Sequence, residues 1–264
     1  MGLRTILLER IKRSKLSKEE LETESISALP GLTPGYANVF FNKPFKFNDG
    51  GGFLVTYNEL FANNLYKFKP NPHKNIILDC GANIGLSVLY FSIHYPEHKI
   101  YAFEPDPLIF DILSENVATF NLKNVQLFNM AVWDQEAELE FFTDNSLGGR
   151  INVAYENQVP RKVKATRLRD YLDADVDFLK LDIEGAEDTV LRDCKDKLGE
   201  LNSFFFEYHN DVNKPQTLHQ LLEMVSDLGF HYYIKESGVR VSPFIDTGLI
   251  CESFDMAINV FCYK

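Results

Sequence analysis

A chain of 264 residues with 45% hydrophobic and 25% charged positions has the make-up of a globular protein with one main domain and room for an appendage. Its formal net charge of −11 argues against non-specific nucleic-acid binding, which rests on Lys and Arg neutralising phosphates, so no nucleic-acid partner is expected. No apolar run reaches the ~18 residues of a membrane span, and the first one, Ile6-Leu7-Leu8, is cut at once by Glu9-Arg10, so a cytoplasmic protein is expected.

In chain order, Arg4, Arg10, Lys12, Arg13, Lys15 and Lys18 interleave with Leu3, Leu7, Leu8 and Ile11, which predicts a basic amphipathic helix. Two readings of it stay open: peripheral contact with an anionic membrane, or a terminal helix covering the domain or the mate in a homodimer. After a turn-rich passage through Pro30, Pro34 and Gly35, the segment from Val39-Phe40-Phe41 to Phe45-Lys46-Phe47 reads as short strands. Asp49-Gly50-Gly51-Gly52 reads as a tight turn or bend, and Tyr57-Asn58-Glu59-Leu60-Phe61 as a short helix leading into the sheet. Residues 1–70 are therefore an N-terminal extension and residues 71–264 the main domain.

From Asn75 strands and helices alternate: strand 75–79, helix 84–93, strand 99–103, helix 107–119, strand 125–129. Such alternation implies right-handed crossovers and a parallel sheet covered by helices on both faces. Strand 136–141 alternates polar and apolar residues, residues 145–157 read as a surface loop, and 163–168 as a short strand and turn. Phe178-Leu179-Lys180-Leu181-Asp182 is a central strand, and Ser203-Phe204-Phe205-Phe206 is the next. Helix 216–228 places Leu218, Leu221, Leu222, Val225 and Leu228 on one face and stops at Gly229. Segments 230–234 and 256–263 close the chain as an antiparallel pair. Cys80, Cys194, Cys251 and Cys262 are scattered, without metal-type spacing, and read as buried thiols.

Chemistry concentrates at the strand ends. Asp79-Cys80-Gly81-Ala82-Asn83-Ile84-Gly85 follows the apolar run Asn75-Ile76-Ile77-Leu78, an acid and glycine-rich turn at the mouth of a parallel sheet. Gly81 and Gly85 allow positive φ and close approach of a ligand to the main chain. A dinucleotide fingerprint from Gly81 would need glycine where Asn83 and Leu86 stand, so a ligand without a pyrophosphate is favoured. Glu104, in Lys99-Ile100-Tyr101-Ala102-Phe103-Glu104-Pro105 and about 20 residues on, is placed to accept ribose hydroxyls of an adenosine moiety. Asp79 is read as facing the amino group of a bound amino-acid moiety. In Lys180-Leu181-Asp182-Ile183-Glu184-Gly185-Ala186-Glu187 and in Glu207-Tyr208-His209-Asn210, ionisable residues alternate at two further strand ends facing the same crevice.

Ile77 to Gly85, paired with Ala102-Phe103-Glu104-Pro105, resembles the FkbM-type S-adenosylmethionine-dependent methyltransferases. Lys180 to Glu187 is similar to that family's own signature, and the similarity extends over residues 38–263, including Tyr57 to Phe61 and Asn129-Met130-Ala131-Val132. The resemblance implies an α/β, class I methyltransferase Rossmann-like sheet, mostly parallel, of seven strands with the last antiparallel. It implies that Asp79, Gly81, Ala82, Asn83 and Gly85 hold the methionine portion of S-adenosylmethionine and Glu104 the ribose, with Pro105 beside it. Asn129, Ala131 and Val132 would then lie near the adenine, and Tyr57 in the cofactor site. The implied activity is O-methylation of a sugar, glycan or polyketide-like small-molecule hydroxyl.

Candidate bases are Asp182, Glu184, Glu207 and His209, with Asp182 or His209 assisting deprotonation and Lys180 positioning a carboxylate. Mg²⁺ bridging Asp182 and Glu207 is a lesser alternative. A nicotinamide-dependent oxidoreductase and a non-catalytic S-adenosylmethionine-binding scaffold remain rival functions.

Overall fold

A computed structural model describes residues 34–39, 43–143, 149–151, 160–238, 240–245, 247–250 and 254–264. The basic segment before residue 19, Cys251 and most of the expected loop 145–157 lie outside the described residues. The described part of the extension starts with an antiparallel hairpin, β1 (Gly35–Val39) and β2 (Lys43–Phe47). Strand alternation puts Ala37, Val39, Phe45 and Phe47 on its buried side.

Next comes α1 (Gly50–Tyr57), and here the sequence expectation is corrected, because the three glycines read as a bend form the helix's first turn. Glycine is a poor helix former, and Asp49 compensates as N-cap: its carboxylate accepts from Gly51 N at 3.1 Å and Gly52 N at 2.9 Å. One π-helical turn, Asn58–Ala62, follows and brings Glu59 and Leu60 round toward the sheet.

The main domain then runs through β3 (Ile76–Cys80), α2 (Leu86–His94), β4 (Lys99–Phe103), α3 (Pro107–Phe120) and β5 (Val125–Phe128). A smaller sheet is formed by β6 (Ala131–Trp133), β7 (Ala137–Thr143), β8 (Gly149–Ile151) and β9 (Arg161–Arg167), in the order β6-β9-β7-β8. The strand β8 lies within the stretch expected to be loop. The chain returns through β10 (Val176–Leu181), α4 (Glu187–Asp193), α5 (Lys195–Leu198), β11 (Ser203–Asp211), α6 (Leu218–Asp227), β12 (His231–Glu236) and β13 (Phe254–Tyr263). The large sheet has seven strands in the order β12-β13-β11-β10-β3-β4-β5, with only β13 antiparallel to its neighbours. This is the arrangement that the resemblance implied.

The alternation of side chains across the central strands divides the molecule. Leu78, Leu179, Leu181, Phe204, Phe206 and Val260 face α4 and α6 in one core. Ile77, Phe178 and Phe205 face the other way and join Phe45, Phe53, Tyr57, Leu60, Phe91 and Leu113, so extension and sheet share a single hydrophobic unit. Cys80, Cys194 and Cys262 are buried free thiols, as expected. Among the described residues no helix is long and apolar enough to cross a membrane.

Because three glycines depend on one capping carboxylate, Asp49→Ala is expected to cost about 1 kcal/mol of stability, while Asp49→Asn keeps most of it. Urea unfolding of both variants measures the difference.

Candidate active site

At the carboxyl end of β3 the backbone takes left-handed φ at Gly81 (+81°), Asn83 (+47°) and Gly85 (+93°). The positive φ expected of the two glycines is present, and the packing around them adds a second requirement for glycine. A Cβ on Gly81 would stand 1.8 Å from Asp182 O, since Asp182 N donates to Cys80 O at 3.1 Å and straps the turn after β10 onto the turn after β3. A Cβ on Gly85, which precedes α2, would meet Leu113 Cδ1 at 2.7 Å. Both glycines therefore allow close packing of the protein on itself, and Gly81 also borders the cavity described below.

Glu104 fastens this turn to the next strand end. Its two oxygens accept from Asn83 N at 3.0 Å and Asp106 N at 2.9 Å, and burial pushes its carboxyl up to about 7 against the pull of these two donors. Asn129, just beyond β5, donates its amide to Glu104 O and Pro105 O, so the ends of β3, β4 and β5 are tied laterally.

On the face that carries Ile77, Phe178 and Phe205, alternation continues with polar and ionisable groups: Asp79 on β3, Lys180 on β10 and Asp182 just past its end, Glu207 and His209 on β11, Asn259 on β13. Lys180 Nζ lies 3.5 Å from both Asp79 Oδ1 and Asp182 Oδ2 and donates to Gly81 O at 2.6 Å. Burial works to discharge this ammonium, but Asp182 and Asp79 outweigh it and hold Lys180 above its ordinary value. Burial likewise raises the Asp79 carboxyl, with Lys180 opposing.

Beyond β10 the chain turns through Glu184, a non-glycine residue at φ +57°, and Gly185 at +94°. Glu187 folds back to accept from Ile183 N and Gly185 N, and its Oε1 sits 3.2 Å from His209 Nδ1. The other ring nitrogen, Nε2, faces Glu207 Oε1 at 3.6 Å and Glu184 Oε2 at 3.7 Å. Burial works against a charge on His209, yet Glu184, Glu187 and Glu207 together hold the ring well above its ordinary value. Burial pushes Glu184 up to about 8 and Glu207 up to about 7, with His209 opposing and Asp182 adding to both shifts.

These groups open into a cavity of about 500 Å³ between the extension and the sheet, within the usual range for small-molecule sites. Gly81, Ala82, Asn83, Lys180, Asp182, Glu184, Glu207 and His209 line it, all named from sequence. Its opposite wall is Phe53, Thr56, Glu59, Leu60 and Tyr66. Glu184 and His209 also border a second cavity, of about 280 Å³, with Trp133, Asp211, Lys214 and Phe254.

Other expected site residues are placed elsewhere. Asp79 is fully buried, with Lys180 Nζ 3.5 Å from its Oδ1, and is not among the residues lining the cavity. Tyr57 is buried between Phe53 and Phe61 in the aromatic core. Ala131 and Val132 are buried at the start of the small sheet, while Asn129 is exposed at the end of β5. Gly85, Glu104 and Pro105 are not among the residues lining the 500 Å³ cavity. Sequence reasoning missed Glu59, Ser237 and Asn259, all on the cavity wall. Asn259 carried a usable signal, a polar residue within the apolar run Ala257 to Phe261.

Removing Lys180 alone would leave Asp79 charged and uncompensated in the core. Lys180→Met is expected to destabilise by about 3–5 kcal/mol, and Asp79→Leu in the same chain to recover most of the loss. A double-mutant cycle read by urea unfolding tests this coupling.

Comparison with known proteins identifies the family. The family described as Methyltransferase FkbM domain matches residues 79–232, more than half of the chain. Methyltransferase sdnD of Sordaria araneosa is 32% identical over 181 residues, covering 55% of this chain and 70% of that protein. The 2-O-methyltransferase NoeI of Sinorhizobium fredii (strain NBRC 101917 / NGR234) is 29% identical over 161 residues, covering 53% and 64%. A solved structure of Methyltransferase FkbM from Methylobacillus flagellatus KT superposes with a TM-score of 0.49 at 15% identity over 77% of this chain, which spans about half (47%) of that one. By the family match over β3 to β12, this chain belongs to the FkbM methyltransferase family.

Proposed function

We propose that the protein transfers a methyl group from S-adenosylmethionine to a hydroxyl of a sugar, glycan or polyketide-like small molecule. The observation that carries this reading is the single cavity joining the glycine turn to Asp182, Glu184, Glu207 and His209. The 2-O-methyltransferase named among the relatives supports a hydroxyl acceptor. A nicotinamide-dependent oxidoreductase, which the sheet alone left open, is not the family to which this chain belongs.

The residues present fit the cofactor that the family implies. The cavity wall is rich in carboxylates, suited to the positive charges of a sulfonium and an α-amine. Each oxygen of Glu104 accepts one backbone N–H and keeps a second lone pair for a ribose hydroxyl. Gly81, Ala82 and Asn83 would hold the methionine portion and Glu104 the ribose. When bound, S-adenosylmethionine supplies a methyl already activated for attack by a nucleophile.

The protein's own work is then orientation and removal of the acceptor's proton. Glu184 is the acceptor of that proton which the geometry favours. It borders both cavities, and its left-handed backbone holds the carboxylate between them at an energetic cost that function explains. Asp182 is engaged by Lys180, and the imidazole of His209 is held charged by three carboxylates, so neither is as free to take a proton. His209 orients Glu184 and Glu207, and Glu187 orients His209. Phe53, Leu60 and Tyr66 form an apolar wall that limits water at the site.

Two measurements test the reading. With a panel of hydroxyl acceptors, the protein is expected to form S-adenosylhomocysteine, and Glu184→Gln to lower kcat by about 10²–10⁴-fold with cofactor affinity unchanged. Cofactor binding without turnover on any hydroxyl acceptor would support the scaffold reading instead. The second measurement is pH dependence. The folded value of Glu104 lies above its ordinary 4.5, so ionisation weakens the fold as pH rises from about 4.5 through 7, and the charged form predominates only above about 7. Cofactor affinity is therefore expected to fall below pH 7, by up to about tenfold per unit, and Glu104→Gln to flatten that slope in calorimetric titrations.

A further inference from the structure

The same strand face holds more ligating atoms than proton transfer requires. Asp182, Glu207 and His209 each offer one ligand atom, and these three atoms lie within 4.8 Å of one another. A separate observation points to an ion there. Asn259, the cross-strand partner of Glu207, is 2% exposed and lines the same cavity, and its Oδ1 has no hydrogen-bond partner among the described residues. A buried amide oxygen left unpaired is unfavourable unless something comes to meet it.

The histidine is arranged as metal-binding imidazoles are. Nδ1 faces the buried Glu187 carboxylate at 3.2 Å, and Nε2 points at Glu207 and Glu184. A carboxylate on the far nitrogen fixes the ring and makes the near one a better ligand. Among the described residues, the ion pairs of Asp79, Asp182, Glu184, Glu187 and Glu207 are made with two cations, Lys180 and His209. Lys180 is committed to Gly81 O and to the two aspartates.

We propose that Asp182, Glu207 and His209 Nε2, joined by Asn259 Oδ1, bind one divalent cation of the Mn²⁺ or Mg²⁺ type. Two carboxylates, an amide oxygen and one imidazole form a hard donor set without thiolate, which selects such ions. Neighbouring ligands of an octahedral ion with bonds of about 2.1 Å are about 3 Å apart, so the 3.6 Å between His209 Nε2 and Glu207 Oε1 closes with a small side-chain shift. A divalent ion would stand where Nε2 otherwise carries a proton. Binding of the ion is independent of the methyl-transfer reading. Its use, to acidify an acceptor hydroxyl beside Glu184, rests on that reading.

The full 264-residue chain, stripped with chelator, is titrated with Mn²⁺ while free Mn²⁺ is followed by electron paramagnetic resonance. The expected result is one Mn²⁺ per chain, with Glu207→Gln and His209→Gln each weakening binding by about tenfold or more. Asn259→Asp is expected to tighten it, a gain that a misfolded variant does not give. No stoichiometric uptake at millimolar Mn²⁺, or uptake equal in all three variants and the parent, overturns the proposal. Calorimetry with S-adenosylmethionine in chelator separates the two readings. Cofactor binding and turnover without Mn²⁺ uptake removes the ion and leaves methyl transfer, whereas Mn²⁺ uptake without cofactor binding upholds the ion alone.

Discussion

The carboxyl ends of the two central strands depend on one buried ammonium. Lys180 stands between Asp79 and Asp182 and bonds the carbonyl of Gly81, so a single side chain links β3, β10 and both turns that follow them. Two carboxylates on adjacent strands of one face would repel in a low-dielectric interior, and the lysine turns that repulsion into attachment. The turns can then approach until Gly81 touches Asp182 O, a contact no larger residue permits. The cavity floor is the result of that closeness.

Around this pair the protein concentrates negative charge instead of dispersing it. Glu184, Glu187 and Glu207 surround one imidazole, and the raised values of Glu184 and Glu207 express how costly it is to ionise them all. Clusters of this kind are poor devices for stability and good ones for proton or cation chemistry. The backbone agrees, since Glu184 occupies the left-handed region without being glycine and remains there because Glu187 holds the amides on either side of it.

The extension matters as much as the sheet. Its π-turn and the capped glycine helix carry Gly52, Phe53, Glu59 and Leu60 to the cavity, closing a crevice that the sheet alone would leave open. Aromatic packing anchors this wall: Phe53 stacks on Phe47 at 5.1 Å, and Tyr57 leans on Phe61. Tyr57, read from sequence as a cofactor contact, thus supports the wall from behind.

Much of the arrangement was legible in the amino-acid order. Strand runs such as Ile76 to Leu78 and Phe178 to Leu179 are apolar on both faces, as buried parallel strands are, and the period-two placement of Lys180 with Asp182, and of Glu207 with His209, marked one polar patch on one face. Those features are local, and local chemistry determines them. Tertiary structure alone decided partnership. That Asp79 lies against Lys180, that Glu187 props His209, and that Asn259 faces Glu207 are matters of register between strands far apart in the chain. The same holds for the glycines: sequence shows that a turn needs them, whereas only the packed fold shows that Asp182 and Leu113 fill the space a side chain would take. Alternation along a strand names the face a residue occupies, but the neighbour across it is set by which strands the hydrophobic core brings together.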